Sequence, residues 1–356
     1  MPRDHPGSVD RPWVSGFRHP PLAAGWIDRP HERAELGDLP LESGETLHDA
    51  FVSYVVHGDR GRLADSAVLV LSAIGSTHHR LDFLIGPGAP LDTDRHAIVA
   101  VDALGNGLSS SPSNSVRQPA GAFPRITLRD MVESQRRLLD RLGVGRLFAV
   151  VGASMGGMQA LQWAVSHPDR IERVVAMTPM ARTARWAQLM NELSRRALFV
   201  DAACTVPRPR DDAMRLWVPL TQLAMVQTPE ALEAFGSVDA LRQWLDDGSA
   251  RLHAHGPDPF DWRCQTETYD AHDIGATPGC HGDTVAALAR IEARLLVLAP
   301  ELDLYNPAFA ARDIVRHVRA ARLVALPGCA GHQSASGVAA ESTAVLRSAV
   351  AAFLAP

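Results

Sequence analysis

The strongest constraint on this chain is a series of short, unbroken apolar runs, several closed by glycine. Ala67–Ile74 (AVLVLSAI) stops at Gly75, Ala97–Leu104 (AIVAVDAL) at Gly105, and Leu147–Val151 (LFAVV) at Gly152. Val174–Met177, Leu295–Ala299 and Arg322–Leu326 follow, and Leu47–His57 reads as an earlier strand of β-branched and aromatic residues. Such runs do not alternate between apolar and polar, so both faces of their sheet must be covered, which predicts parallel strands. Helical patterns fill the gaps. In Asp130–Leu142, Met131, Gln135, Leu138, Leu139 and Leu142 share one stripe; Met158–Ser166 stops before His167-Pro168; Arg312–Val318 and Ala339–Leu354 also read as helices. Alternating strands and helices predict an α/β fold with a mostly parallel, doubly wound sheet.

The rhythm breaks between about Ala181 and Ala289. That stretch holds helical pieces (Arg185–Phe199, Ala213–Met225, Pro229–Phe235, Val238–Asp246) and no clear strand. The expected organisation is therefore an irregular lead-in over 1–44, a sheet domain from 45–180 and 290–356, and a helical lid inserted over 181–289. The lid tryptophans Trp186, Trp217, Trp244 and Trp262 are expected to pack the lid.

Composition excludes several functions. A net charge of −5 gives no electrostatic reason to expect nucleic acid or an anionic membrane as partner. All 35 basic residues are arginine, so neither a Schiff-base lysine nor a P-loop lysine is available. The N-terminus shows no apolar signal segment and the apolar runs are too short to span a bilayer, so a cytoplasmic protein is expected, with Cys204, Cys264, Cys280 and Cys329 as reduced thiols. No metal site is expected: His272-Asp273 and His281-Gly282-Asp283, near Cys264 and Cys280, fit no tight ligand template. Gly105-Asn106-Gly107 lacks the third glycine of a dinucleotide fingerprint.

The chemistry is carried by Gly152-Ala153-Ser154-Met155-Gly156-Gly157, set between the strand Leu147–Val151 and the helix that follows. A G-x-S-x-G at a strand-to-helix turn is a nucleophile elbow: the sharp turn projects the hydroxyl above the sheet, and glycines flank it because a Cβ would strike neighbouring backbone. A serine hydroxyl needs a base, and the base an orienting acid, in the chain order Ser, acid, His. His332, in Gly328-Cys329-Ala330-Gly331-His332, follows the strand Arg322–Leu326 and is the expected base. Asp303, shortly after Leu295–Ala299, is the expected acid, with Glu301 its competitor. One oxyanion donor is expected from the N–H of Met155, and a second from the loop Ser72–Gly75, with Ala73 preferred. His78 and His79 follow that loop as candidate pocket-lining residues.

Gly152–Ala164 (GASMGGMQALQWA) resembles the elbow of homoserine O-acetyltransferase and its relatives, within the α/β-hydrolase superfamily. The resemblance extends through Ile85-Gly86-Pro87-Gly88, Leu91-Asp92-Thr93-Asp94, Leu104-Gly105-Asn106-Gly107, Asn191–Ala197 (NELSRRA), the Asp303…Pro307 spacing and Gly331-His332. It covers most of residues 45–350. It implies an α/β-hydrolase fold with a helical lid, a homodimer through that lid, Ser154, Asp303 and His332 as triad, and Arg195 as the residue that meets a substrate carboxylate. Two features depart from the family. Its acetyltransferases carry an aspartate after the histidine that helps hold the substrate amino group, where this chain has Gln333, a neutral amide. The family lid bears a tyrosine in a glycine-rich segment where this chain reads Val200–Pro207 (VDAACTVP).

Those departures favour a serine hydrolase that cleaves an ester, thioester or related small-molecule acyl substrate through a Ser154 acyl-enzyme, without a cofactor. The rival reading is an O-acyltransferase with acetyl-CoA as co-substrate. A binding protein on a hydrolase scaffold is the third, and the complete Ser-Asp-His set argues against it.

Overall fold

The computed structural model describes residues 19–199, 217, 220, 221 and 227–355. Strands β1 (Glu32–Pro40) and β2 (Thr46–His57) form a hairpin, followed by the single turn α1 (Leu63–Ser66) and β3 (Ala67–Leu71). The short strands β4 (Ile85–Gly86) and β5 (Leu91–Asp92) pair with each other and precede β6 (Ala97–Val101). Helix α2 (Leu128–Arg141), β7 (Leu147–Ala153), α3 (Met155–Ser166) and β8 (Ile171–Met177) complete the first half. Helices α4 (Arg185–Leu198), α5 (Pro229–Leu232), α6 (Val238–His255), α7 (Pro259–Asp270) and α8 (Thr284–Ala289) lie between β8 and β9 (Arg294–Pro300). The chain closes with α9 (Ala308–His317), β10 (Ala321–Leu326) and α10 (Ala340–Leu354).

The main sheet has eight strands in the order β1-β2-β6-β3-β7-β8-β9-β10. β1 and β2 run antiparallel at one edge, and every pair from β6 to β10 is parallel. The unbroken apolar runs have the cause inferred for them. Along β3, Leu69 and Leu71 enter the core beneath α2 and α3, while Val68 and Val70 enter the core beneath α10. Each fully buried aliphatic side chain of this kind contributes about 1.5–3 kcal/mol. Helix α2 begins at a reciprocal capping box between Thr127 and Asp130. The chain is thus an α/β hydrolase fold. Among the described residues no helix is long and apolar enough to cross a membrane.

One expectation is corrected. The stretch 1–44 is not irregular throughout, because β1 occupies Glu32–Pro40 and is joined to β2 by a tight turn in which the Leu41 N–H donates to Glu45 O at 2.9 Å. Its glycine, proline and charges belong to a bulged edge strand: the register slips on both sides of Gly37, while Leu36 and Leu39 are buried. The expected helix Ala213–Met225 and the segment Val200–Pro207 lie largely or wholly outside the described residues.

Candidate active site

The parallel strands end together, and their carboxyl ends deliver the candidate residues to one place, where open α/β sheets form their crevices. Ser154 follows β7 directly. Its backbone has φ 57° and ψ −123°, a left-handed conformation disfavoured for a residue with a Cβ. The Ser154 N–H donates to Met177 O of β8 at 2.9 Å, which ties the elbow to the sheet. The flanking glycines are sterically required. A Cβ on Gly152 would lie 2.2 Å from Gly156 O, and one on Gly156 would lie 2.6 Å from Leu71 O.

Ser154, His332 and Asp303 come together as one hydrogen-bonded chain. His332 Nε2 is 2.8 Å from Ser154 Oγ, and His332 Nδ1 is 2.8 Å from Asp303 Oδ2. Asp303 Oδ1 accepts the N–H groups of Tyr305 and Asn306, both at 2.8 Å. The carboxylate is therefore fully engaged, buried, and fixed in orientation. With Nδ1–H donated to Asp303, the His332 Nε2 lone pair faces the serine hydroxyl, the arrangement a general base requires. Glu301, the competing acid, is exposed and pairs with Arg312 instead.

A second ring of residues holds this chain and was not singled out from sequence. Asn306 Nδ2 donates to Thr178 O at 2.6 Å, and the Tyr269 hydroxyl donates to Asn306 Oδ1 at 2.5 Å. The Tyr305 hydroxyl donates to Asn191 Oδ1 at 2.7 Å, and its ring meets the His332 ring edge-on at 5.2 Å. Burial raises the hydroxyl pKa of both tyrosines, so each remains a donor at neutral pH. Asn191 and the Asp303…Pro307 segment did appear among the sequence matches. Tyr269, on α7, is joined to them only through space.

The remaining candidates sit less simply. Met155 is the first residue of α3, so its N–H has no acceptor within the helix and is available above the elbow. Ala73, the preferred second oxyanion donor, has its N–H directed at Ser76 Oγ at 2.8 Å, and the Gly75 N–H is held by Gln265 Oε1 at 2.8 Å. Ala73 could meet an oxyanion only by exchanging the serine hydroxyl for it. Arg195 is engaged by two carboxylates, Asp270 at 2.7 Å and Glu192 at 3.0 Å. It lines a cleft of about 760 Å³ together with Arg129, Glu192 and Asp270, and none of Ser154, Asp303 and His332 lines that cleft. Arg195 is nevertheless linked to the triad. Asp270 accepts from Asn191 Nδ2 at 2.7 Å, and Asn191 accepts from Tyr305. Gln333 is half-buried and its Oε1 accepts from Ser336 Oγ at 2.6 Å.

Helix α7, between β8 and β9, meets this end of the sheet through Gln265 to the Gly75 N–H and Tyr269 to Asn306. Trp217 and Trp262 meet edge-to-face at 5.0 Å and both donate to Ser194 Oγ of α4, as expected of packing residues. His272 is buried and His281 is exposed, and among the described residues the histidines that could hold a metal lie elsewhere.

Residues 67–204 match the family described as alpha/beta hydrolase fold. The homoserine O-acetyltransferase of Solidesulfovibrio magneticus is 31% identical over 323 residues, covering 79% of this chain and 80% of that relative. The chain belongs to the homoserine O-acetyltransferase-like family. It is an α/β-hydrolase-fold enzyme whose curated homologues in that family are acyltransferases. The homoserine O-succinyltransferase of Alkalilimnicola ehrlichii is similar at the same level, 31% identical, covering 78% of this chain and 82% of its own. Among solved structures, the acetyl esterase MekB superposes with a TM-score of 0.84 at 27% identity, covering 91% of this chain and 96% of that one. The curated relatives are thus named for acetyl and succinyl transfer, and a structural neighbour is named an acetyl esterase.

Proposed function

We propose that this enzyme transfers a short acyl group to a small hydroxylated acceptor through an acyl-Ser154 intermediate. The observation that carries the acyl-enzyme is the unbroken chain Ser154–His332–Asp303, with 2.8 Å at both links. His332 Nε2 takes the Ser154 proton as Oγ attacks the acyl carbonyl. The developing oxyanion is met by the Met155 N–H, joined by Ala73 once Ser76 Oγ gives way. His332 then returns the proton to the leaving thiol or alcohol. In the second half His332 Nε2 takes the acceptor hydroxyl's proton as its oxygen attacks the acyl carbonyl, then gives that proton to Ser154 Oγ as the acyl bond to Ser154 breaks. Acyl-CoA is the proposed donor and Arg195 the proposed contact for an acceptor carboxylate, after release from Asp270 or Glu192. Transfer is preferred over hydrolysis because the curated relatives that share four-fifths of their length with this chain are named acyltransferases.

Hydrolysis is the second reading, and Gln333 favours it. An amide at that position offers no charge to an acceptor ammonium, and water needs none. The likeness to an acetyl esterase points the same way. Intact-protein mass spectrometry with acetyl-CoA and with p-nitrophenyl acetate separates the two, with Ser154→Ala as control. An acetyl adduct that persists in buffer and clears when homoserine or another hydroxylated amino acid is added supports transfer. An adduct that clears in water alone supports hydrolysis and overturns the first reading. Labelling of Ser154→Ala equal to that of the wild type overturns both.

A further inference from the structure

Apart from the triad, four histidines from distant parts of the sequence converge. His78 and His79 open the short helical stretch His78–Leu84 that follows the Ser72–Gly75 loop, and both are buried. His19 and His31 come from the segment that precedes β1. One ring nitrogen from each of the four lies within 4.8 Å of the others, and the Nε2 atoms of His19 and His79 are 3.1 Å apart. The His31 ring centre is 4.4 Å from that of His78 and 4.8 Å from that of His19.

The surroundings select one face of each buried ring. His78 Nδ1 lies 3.1 Å from Asp102 Oδ2, and His79 Nδ1 lies 2.6 Å from Asp82 Oδ2. A ring that donates Nδ1–H to a carboxylate presents its Nε2 lone pair, and carboxylate–histidine pairs of this kind orient metal ligands. His78 Nε2 is buried and has no hydrogen-bond partner among the described residues. A lone pair left in that state is costly. The 3.1 Å contact between His19 and His79 answers for one proton at most. A cation between the rings would take one nitrogen lone pair from each of the four, that of His78 Nε2 included. A tetrahedral zinc ion with Zn–N distances of about 2.0–2.1 Å spaces its ligand atoms about 3.3–3.4 Å apart, so the four rings need only small shifts. Asp82 and Asp102, both buried, supply two negative charges against a divalent ion.

We propose that His19, His31, His78 and His79 bind a divalent cation of the zinc class, with Asp82 and Asp102 as the carboxylates that orient the ligands. Four protein ligands leave no open position, so the site is structural. It fastens the segment before β1 to the chain that follows β3, within a few residues of the loop carrying Ala73. The competing arrangement is an ion-free imidazole stack capped by Trp26, whose ring lies 4.4 Å from that of His79.

The test uses the full chain without a polyhistidine tag, stripped with a chelator and titrated with cobalt(II), whose visible spectrum reports tetrahedral nitrogen coordination. We expect saturation near one equivalent per chain, competed by zinc, and a melting temperature raised by zinc. In the double variant His19→Ala/His31→Ala, which leaves the sheet residues untouched, both signals should vanish. In Asp82→Asn, which keeps all four ligands, cobalt affinity should fall by about 10–100-fold. Far-UV circular dichroism confirms that each variant is folded. Wild-type protein that shows no saturable cobalt binding overturns the proposal, as does binding unchanged in the double variant.

Discussion

Asp303 shows how much of the site depends on one residue's hydrogen-bond inventory. Its Oδ1 takes two backbone N–H groups and its Oδ2 takes His332 Nδ1–H. In Asp303→Asn, the amide oxygen can keep the two backbone bonds, but the amide NH₂ then faces His332 Nδ1. The imidazole must turn to the tautomer with its proton on Nε2, aimed at Ser154 Oγ. Ester or thioester turnover should fall by about 10⁴ with little change in melting temperature. A loss of ten-fold or less would mean that the acid lies elsewhere. Ser154, His332 and Asp303 were legible in the sequence because each sits at a local signal: a glycine-flanked turn, or a loop just past an apolar strand. Thr178 and Asn306 also lie just past apolar strands, but nothing local marks their bond to each other, and Tyr269, on α7, carries no such signal at all. Their role arises where the loops after β8 and β9 meet helix α7 in space.

At the scale of elements, the elbow works because β7 and α3 approach β3 more closely than a side chain allows. In Gly156→Ala the new methyl would sit 2.6 Å from Leu71 O and 3.1 Å from Ser72 O, both backbone atoms of a central strand and its exit loop. Neither can retreat without moving the sheet, so a loss of at least about 1–3 kcal/mol is expected in urea denaturation. A midpoint unchanged from wild type would show that the elbow has slack. Helix α7 meets the same region from the other side. Gln265 is buried, and its Oε1 is the acceptor for the Gly75 N–H. Gln265→Met keeps the volume and removes that bond; because Gly75 is exposed and water can take its N–H, the loss should be about 0.5–1.5 kcal/mol. Because the Ser72–Gly75 loop is then free to shift, kcat should fall more than KM changes. Equal kcat would place the loop's support elsewhere. The parallel strands and most helices were legible from apolar runs and periodicity, but α7 and α8 were not, because α7 buries polar side chains such as Gln265, Thr266 and Thr268 and so shows no clean apolar stripe. β1 was not, because an edge strand broken by bulges reads like a loop when its partner is unknown.

For the whole molecule, parallel strands covered on both faces followed from the apolar runs, but the meeting of distant segments did not. The four histidines at 19, 31, 78 and 79 match no ligand spacing, and α7 reaches the loop after β3 across 190 positions of sequence. Burying so many polar groups also sets the response of the fold to acid. His272 is buried, and its pKa is pushed from 6.5 down to about 3, first by burial and then by the charge of Arg129. The native state therefore holds this ring neutral while the unfolded chain protonates it near pH 6.5. The unfolded state binds the extra proton, so stability is fully present above pH 6.5 and is lost as pH falls toward about 3. One such group contributes a slope of about 1.4 kcal/mol per pH unit in that window. In His272→Met, which keeps the ring's site apolar and removes the titration, the stability measured by urea denaturation at successive pH values from 7 to 4 should fall less steeply than in wild type, by close to that amount. Parallel pH profiles for the two proteins would mean that His272 is protonated within the folded state, and that the acid sensitivity of the molecule resides in other buried histidines such as His57, pushed down to about 4 chiefly by burial.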